Sequence, residues 1–491
     1  MNSNIIYNDK NDNLYILLYQ IGQGAYSTVW FTFEISNFMK DIIKKKISTN
    51  NIIINPRALK IHNDDSYKEG MMETKINDII IFNNKKSNLI NYPLSFFVLD
   101  DEIVIVVYEL ALGSLYDILK KFDRDLDPDF ILKIIPDMIK SIEFIHKCGY
   151  IHTDIKPENF LLMGISDEQQ QLLNYIKKSK LLDNFKKLSS NKKYGDLYKD
   201  IKKYIYNFLK DISSKFKLSD NILEEDEDDN KMNNSSESNE DSDDNSNESS
   251  GYSTDSDTSY YTNCSSYDSG FEEYDQKLDI FHIKEILNII NNNKISNEIN
   301  TKNNIDYNLK NKEKNNIKSF MINPIVKLTD FGCIKKSGST CQTVQTRYYR
   351  SPEIILGLDY DNNSDIWSLG CSIYELLTGK ILIDIDHDIK INEYDKDLIN
   401  IKIILEKICH NKNSINDLFS LIKKSNRSKY IIDNSIFSSS IRFYKNINSS
   451  LIIDEIYTLK KLNDLQIETY KNYFNSMLEI IPKNRFFNKN I

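Results

Sequence analysis

Apolar and polar positions divide the chain into zones of different periodicity. The first zone is strand-like: Leu14 to Ile21 is an apolar-rich run, Trp30 to Ile35 alternates, Arg57 to Ile61 is short, and Glu102 to Val107 is strongly β-prone. One helix is predicted among them, over Met71 to Phe82. The second zone is helical, with Leu115 to Phe122 followed by Asp129 to Cys148. In the longer segment apolar residues fall at 131, 134, 135, 138, 139, 142 and 145, a spacing that gathers them on one face of a helix. Pro136 lies inside that run, has no N–H to donate, and predicts a kink.

Residues 165–320 break the pattern. Leu172 to Phe216 is Lys-rich with helical periodicity, an acidic Ser/Asp/Asn/Glu tract follows, and a helix over Leu278–Ile290 precedes an Asn/Lys tract. From Ile325 the sequence is compact again as far as Arg485, and no internal repeat is present.

Charge sharpens this division. The chain has 491 residues and a net charge of −9, but residues 224–275 hold 18 Asp or Glu against one Lys. That tract carries −17 and leaves +8 for everything else. Its apolar content is too low to offset the entropy of ordering, so it reads as a disordered spacer. The sharper reading places it against basic surface, where it would hold the protein in place or compete with basic substrates. Ser235-Ser236-Glu237 and Ser242-Asp243-Asp244 also have the form of sites for acid-directed kinases.

Other features exclude classes. No run approaches the roughly 18 apolar residues of a membrane span, and Met1-Asn2-Ser3-Asn4 does not begin a secretion signal. Six cysteines (148, 264, 333, 341, 371 and 409) lack metal-type spacing and read as reduced thiols of an intracellular protein. Only three alanines occur (25, 58 and 111), while Asn, Ile, Lys and Tyr are abundant. That bias suits translation of an AT-rich genome, such as those of some protozoa and large DNA viruses.

The densest chemistry lies in His152-Thr153-Asp154-Ile155-Lys156-Pro157-Glu158-Asn159. One short loop there carries a potential base (Asp154), a phosphate-pairing cation (Lys156) and a metal-seeking amide (Asn159). Gly22-Gln23-Gly24-Ala25-Tyr26-Ser27-Thr28-Val29 lies between two strand candidates, and its glycines allow backbone to approach phosphate oxygens without Cβ interference. A plain hairpin turn has the same composition; a dinucleotide fold is disfavoured because a strand follows. Lys60, in Ala58-Leu59-Lys60-Ile61, is either a snorkelling surface lysine or a phosphate ligand. Its ion-pair partner is expected to be Glu73, with Glu69 as the other choice. Asp330-Phe331-Gly332 follows the apolar run Ile325–Leu328 and precedes Ser351-Pro352-Glu353, Asp365-Ile366-Trp367-Ser368-Leu369-Gly370 and Pro482-Lys483-Asn484-Arg485.

In this order the motifs resemble those of protein kinases. The resemblance implies an α+β, bilobal fold with a small β-rich lobe over 14–110 and a large helical lobe over 111–164 and 321–491. An extension precedes it over 1–13, and a long insert with helical flanks occupies 165–320. It implies a catalytic set of Asp154, Lys156 and Lys60, with Mg²⁺ held by Asn159 and Asp330. An ATP pocket would be formed by Ile21, Gly22, Gly24 and Val29 above, Ala58 and Lys60 behind, and Glu109, Ala111 and Leu161 around the adenine, with Glu73 pairing Lys60. Tyr108 would guard the rear of the pocket, and Glu353 would pair with Arg485.

Thr346-Arg347-Tyr348-Tyr349-Arg350-Ser351-Pro352-Glu353 is similar to the group that includes cyclin-dependent, MAP, dual-specificity and SR-protein kinases. His-Thr-Asp in the catalytic loop, Tyr26-Ser27-Thr28-Val29-Trp30 and the long insert look most like SR-protein kinases, with dual-specificity relatives next. Departures are Phe331 in place of Leu, the presence of Pro352, and Ile404 where an acidic docking residue is expected. The implied partners are proteins with Ser/Thr acceptors, including Arg/Ser-rich ones. No nucleic acid or membrane partner is implied, and the expected state is a monomer in cytoplasm or nucleus. Tyrosine autophosphorylation is disfavoured by Cys341 and Thr343 at the positions where dual-specificity relatives carry phosphotyrosine. Thr153 stands where many kinases carry an arginine that binds activation-loop phosphate. Activity is therefore expected not to need phosphorylation of Ser337, Ser339, Thr340 or Thr343. A scaffold that keeps the fold without transfer is the alternative class.

Overall fold

The structure, a computed structural model, describes residues 5–8, 10–24, 27–36, 54–76, 87–99, 102–179, 200, 203–212, 307–338, 344–385, 393–409, 411–434, 456 and 462–488. The acidic tract 224–275, the helix expected over 278–290, and Ser339, Thr340, Cys341 and Thr343 lie outside them.

The expected bilobal α+β arrangement is present. Strands β1 (Ile5–Asn8), β2 (Asn13–Gln23), β3 (Ser27–Ile35), β4 (Ile54–His62), β5 (Ser95–Leu99) and β6 (Ile103–Tyr108) form one antiparallel sheet in the order β1-β2-β3-β4-β6-β5. Side chains alternate across a strand, and β4 uses both faces. Leu59 and Ile61 pack with Trp30, Ile105 and Val107 on one side. Ala58, with Val104, Val106 and Tyr108 of β6, belongs to the other side. β6 is buried at every position, which explains why its sequence is continuously apolar rather than alternating.

Helix α1 (Tyr67–Thr74) crosses β6. It begins before the expected Met71, and residues 77–86 lie outside the described part. Strands β1 and β5 were not anticipated. A glycine in α1 brings the helix down onto the sheet: a Cβ on Gly70 would lie 2.8 Å from Val104 Cβ and 3.0 Å from His62 Cγ.

A short strand β7 (Ala111–Ser114) leads into the second lobe. There α2 (Leu115–Lys121) starts in a reciprocal cap between Ser114 and Asp117. Helix α3 (Pro128–Lys147) starts with Pro128 in its first turn and the Asp127 cap, and it runs on through Pro136. Its nine buried residues form one stripe, and these include Ser141 beside the apolar positions of the sequence pattern. Strands β8 (Tyr150–Ile151), β9 (Phe160–Met163), β10 (Val326–Leu328) and β11 (Lys335–Lys336) bracket the catalytic loop, in the pairings β10-β9-β7 and β11-β8.

Both described ends of the 165–320 segment are packed. Helix α4 (Asp167–Lys178) and the helical stretch 203–212 bury Leu172, Leu173, Ile176, Ile205, Leu209 and Ile212 in the cluster that holds Leu14, Ile16, Phe31 and Phe33 of the first-lobe sheet. The two helices meet through the Tyr175 hydroxyl, which donates to Asp211 at 2.5 Å, and through stacking of Tyr175 on Phe208. Helix α5 (Tyr307–Ile322), at the returning end, instead sinks Ile317 and Met321 into the core of the second lobe. The segment thus leaves from one lobe's core and returns through the other's.

That second core is built around α6 (Asn363–Thr378), buried from Ser364 to Thr378. Around it lie α7 (Glu393–Lys407), α8 (Lys412–Lys424) and α9 (Asp464–Met477). Gly379 ends α6 at φ +71°, where a Cβ would lie 2.3 Å from the Arg124 carbonyl oxygen, so only glycine fits. Among the described residues no helix is long and apolar enough to cross a membrane. The four described cysteines are free thiols.

Candidate active site

Register places Lys60. It lies opposite Val29 on β3 and Val106 on β6, with Ala58 opposite Tyr108 two residues earlier. Ala58, Lys60 and His62 therefore share the sheet face that α1 covers. From there Lys60 Nζ reaches Glu73 Oε2 at 2.8 Å and Asp330 Oδ1 at 2.8 Å. The choice between Glu69 and Glu73 falls to Glu73, which is fully buried. Burial alone would depress the Lys60 amine; the Asp330 and Glu73 carboxylates outweigh it and hold its pKa well above the usual lysine range. Glu73 also resists burial, and Lys60 and His62 keep its carboxyl below the ordinary value.

Two residues not assigned such a role from the sequence complete this end. His62 Nε2 lies 3.1 Å from Glu73 Oε2, and the Tyr108 hydroxyl donates to Glu73 Oε1. The signal for His62 was its place two residues beyond Lys60 on a strand, hence on the same face.

The glycine turn continues β2: Gly22 pairs with Val29, and the Gly24 N–H donates to the Ser27 carbonyl at 2.8 Å. Ile21 is exposed, while Ala25 and Tyr26 lie outside the described residues. At the junction between lobes Glu109 faces solvent and pairs with Lys327 at 2.6 Å. Ala111 is opposite Met163, and Leu161 is opposite Ser114.

The catalytic loop is fixed from behind by Asp365 of α6. This fully buried carboxylate accepts the His152 N–H at 2.8 Å, the Thr153 N–H at 2.9 Å and a bond with His146 Nε2 at 2.9 Å. Burial would raise its pKa; the His146 bond and charge, then His152, bring it below the usual carboxylate range. Thr153 sits at φ +66°, costly for a β-branched residue. Asp365 holds its amide there, and its own hydroxyl donates to the Cys333 carbonyl at 2.7 Å.

At the front of the loop Asp154 Oδ2 lies 2.7 Å from Lys156 Nζ, and Oδ1 accepts the Thr346 hydroxyl at 2.6 Å. Lys156 Nζ donates to that same Thr346 oxygen at 3.0 Å. Asn159 Nδ2 donates to the Asp154 carbonyl at 2.7 Å. Burial would lower the Lys156 pKa, but Asp154 raises it above the normal value. Asp330 is at φ +64°. Burial opposes its ionisation, yet Lys60 holds its pKa down at about 2. Phe331 beneath it is fully buried and meets His152 edge to face at 5.4 Å. Further back, Arg485 grips Glu353 with two bonds of 2.7 and 2.8 Å.

The fold therefore brings Lys60, Glu73, Asp330, Asp154, Lys156 and Asn159 together from segments up to 270 residues apart. An ionised carboxylate and an amide are oxygen donors of the kind Mg²⁺ takes. Among the described residues no group of three or more His, Cys, Asp or Glu forms a metal site unaided. Asp330 and Asn159 would hold the ion together with phosphate and water oxygens.

The family model of the protein kinase domain matches residues 15–183 and 302–486, more than half of the chain. The chain belongs to the protein kinase family. A protein of Acanthamoeba polyphaga mimivirus named as a serine/threonine-protein kinase (L205) is 28% identical, over 96% of this chain and 84% of its own length. The serine/threonine-protein kinase SKY1 of Saccharomyces cerevisiae is 24% identical over 96% of this chain and 73% of its own. A crystal structure described as the kinase domain of PF14_0431 covers 96% of this chain and 92% of that one, at 17% identity and a TM-score of 0.46. This protein kinase is of the serine/threonine type, acting on protein substrates.

Proposed function

We propose that the kinase transfers the γ-phosphoryl group of Mg·ATP to Ser or Thr hydroxyls without needing phosphate on its own activation segment. Lys60 carries the reading: it bridges Glu73 of one lobe and Asp330 of the other at 2.8 Å each. The two halves of a phosphoryl-transfer site thus engage each other. Asp154 takes the proton of the attacking hydroxyl. The hydroxyl oxygen bonds to the γ-phosphorus while the bond from that phosphorus to the β–γ bridging oxygen breaks, and ADP leaves. Lys156 offsets charge on the transferring group, and Lys60 orients the α- and β-phosphates. Asp330 and Asn159 are the residues that would hold Mg²⁺, which would supply neutralisation of the phosphate charge.

Phosphate independence is supported by how Thr153 is used. In place of an arginine–phosphate pair, its neutral hydroxyl ties the catalytic loop to Cys333, three residues past Asp330. Replacing Ser337, Ser339, Thr340 and Thr343 together by Ala tests this. Turnover on a peptide should be retained, and its loss would sink the proposal.

Within the family we infer an SR-protein-kinase-like member, supported by His152-Thr153-Asp154 in the catalytic loop and by the long insert between that loop and Asp330-Phe331-Gly332. Docking of an Arg-rich segment on α7 is not favoured. Ile404 is fully buried, and Asp397 is already paired with Arg347 at 2.8 Å and Arg427 at 2.9 Å. A degenerate peptide array with [γ-³²P]ATP decides whether Arg, Pro or acidic neighbours are preferred.

A further inference from the structure

Glu73 is fully buried, and every group that holds it is a side chain: Lys60 and His62 on Oε2, Tyr108 on Oε1. His62 is 2% exposed, and its Nδ1 is buried with no hydrogen-bond partner, so the polar bond of that ring is the one to Glu73. Tyr108 is buried as well. Burial, then the adjacent carboxylate, keeps its phenol well above the usual range, so it remains a donor. Both residues stand on the central strands β4 and β6, which are paired with each other. Gly70 lets α1 settle onto this surface, where a Cβ would strike Val104 and crowd His62.

We propose that His62 and Tyr108 are positioning residues for phosphoryl transfer. They tie the Glu73 carboxylate to the rigid sheet, so that Lys60 stays aimed between Glu73 and Asp330 whatever the state of the activation segment. This rests on the kinase reading above and extends it. A helix whose only link to the site was the Lys60 ion pair could swing away by breaking one bond. Here it must break three, all of them to residues on paired strands of the sheet. Small misplacements of such a lysine are costly to the chemical step.

Steady-state kinetics of the full chain test this, with a phosphorylated-peptide readout and saturating acceptor. Tyr108→Phe keeps the ring and removes only the hydroxyl. It should lower kcat about tenfold, the scale of losing one hydrogen bond to a charged group. KM for ATP should stay within about twofold. His62→Ala should behave alike, and His62→Gln, which restores a side-chain N–H, should recover part of the loss. In a Glu73→Gln background the added Tyr108→Phe change should cost under about twofold, because the group it acts through is already altered. Independent, additive losses would overturn the proposal. So would an unchanged kcat in Tyr108→Phe and His62→Ala beside an active wild type. Absence of transfer by the wild type would instead overturn the kinase reading, and this one with it.

Discussion

Glu73 in the strand-rich lobe and Asp365 in the helical lobe are both fully buried carboxylates, yet the donors around them differ in kind. Asp365 accepts two main-chain N–H groups of the catalytic loop and one histidine. Glu73 accepts side chains only. A carboxylate bound to main chain dictates the conformation of that chain, here the left-handed Thr153. A carboxylate bound to side chains dictates where its own helix sits. The first cannot let go without the loop refolding; the second could let go by side-chain rotation, which its three donors together oppose. The helical half of the site is therefore set by main chain, while the strand half is set by side chains and is the half that substitution can tune.

The largest expected effect comes from breaking the main-chain node. Asp365→Asn leaves a single side-chain oxygen for two N–H donors and removes the charge beside His146. Stability should fall by about 3–5 kcal/mol, the scale of breaking a buried ion pair from one side. With Thr153 and Asp154 displaced, kcat should fall on the order of 10³-fold. Denaturant unfolding and steady-state kinetics measure the two losses. A variant with full stability and normal turnover would remove the distinction between the nodes.

Glu73→Gln attacks the other node. It should cut kcat on the order of 10²-fold, as loss of one preorganised electrostatic contact does. Its destabilisation should be smaller than that of Asp365→Asn, because Gln still offers one oxygen to Lys60, His62 or Tyr108. Equal destabilisation by the two changes would show that α1 is as fixed as the catalytic loop.

The reach of the sequence divides along the same line. Lys60, Asp154, Asn159 and Asp330 were legible because the chemistry dictates residue type and the motifs dictate spacing. Asp365 was legible as part of a motif, but not as the acceptor that holds the loop. That role depends on α6 passing directly behind residues 152 and 153. His62 and the Tyr108 hydroxyl were illegible because their shared partner is set by how closely α1 approaches β6, a distance decided at Gly70. The α4 periodicity announced a buried face without naming the surface that buries it. The extra strands β1 and β5 are only four and five residues long, too short for a periodicity to mark them.

A third experiment probes the charge balance of the tunable half. Asp330 and Glu73 are both held below their ordinary pKa values, against burial, by Lys60. A depressed carboxyl contributes stability that is complete above its unfolded pKa, about 3.9 for Asp. That contribution is lost as pH falls through the folded value, about 2 for Asp330. Lys60→Met should therefore lower Tm most at neutral pH. The gap to wild type should close between about pH 4 and pH 2. A gap independent of pH would mean that the lysine acts through packing alone.

The smallest expected effect has the opposite sign and comes from a carboxylate with a donor on only one of its oxygens. Glu375 on α6 is as buried as Glu73 and Asp365. Its Oε2 accepts the Tyr349 hydroxyl at 2.5 Å, but its Oε1 accepts no protein hydrogen bond, and Arg124 Nη1 stands off at 4.0 Å. Burial accordingly raises its pKa, and Tyr349 and Arg124 only partly oppose this. For a raised carboxyl the linkage reverses. The fold prefers the neutral form, so stability falls as pH rises from the unfolded value, about 4.3 for Glu, towards the higher folded one. Glu375→Gln keeps an acceptor for Tyr349 and removes a charge that the site does not satisfy. It should raise stability at neutral pH by about 1 kcal/mol, the low end of the cost of an unsatisfied buried group. The gain should vanish below about pH 4, where the wild-type carboxyl is protonated as well. If the variant is instead less stable at neutral pH, the distant Arg124 pairing outweighs burial. Donor count would then no longer separate the carboxylates that hold this fold from the one that strains it.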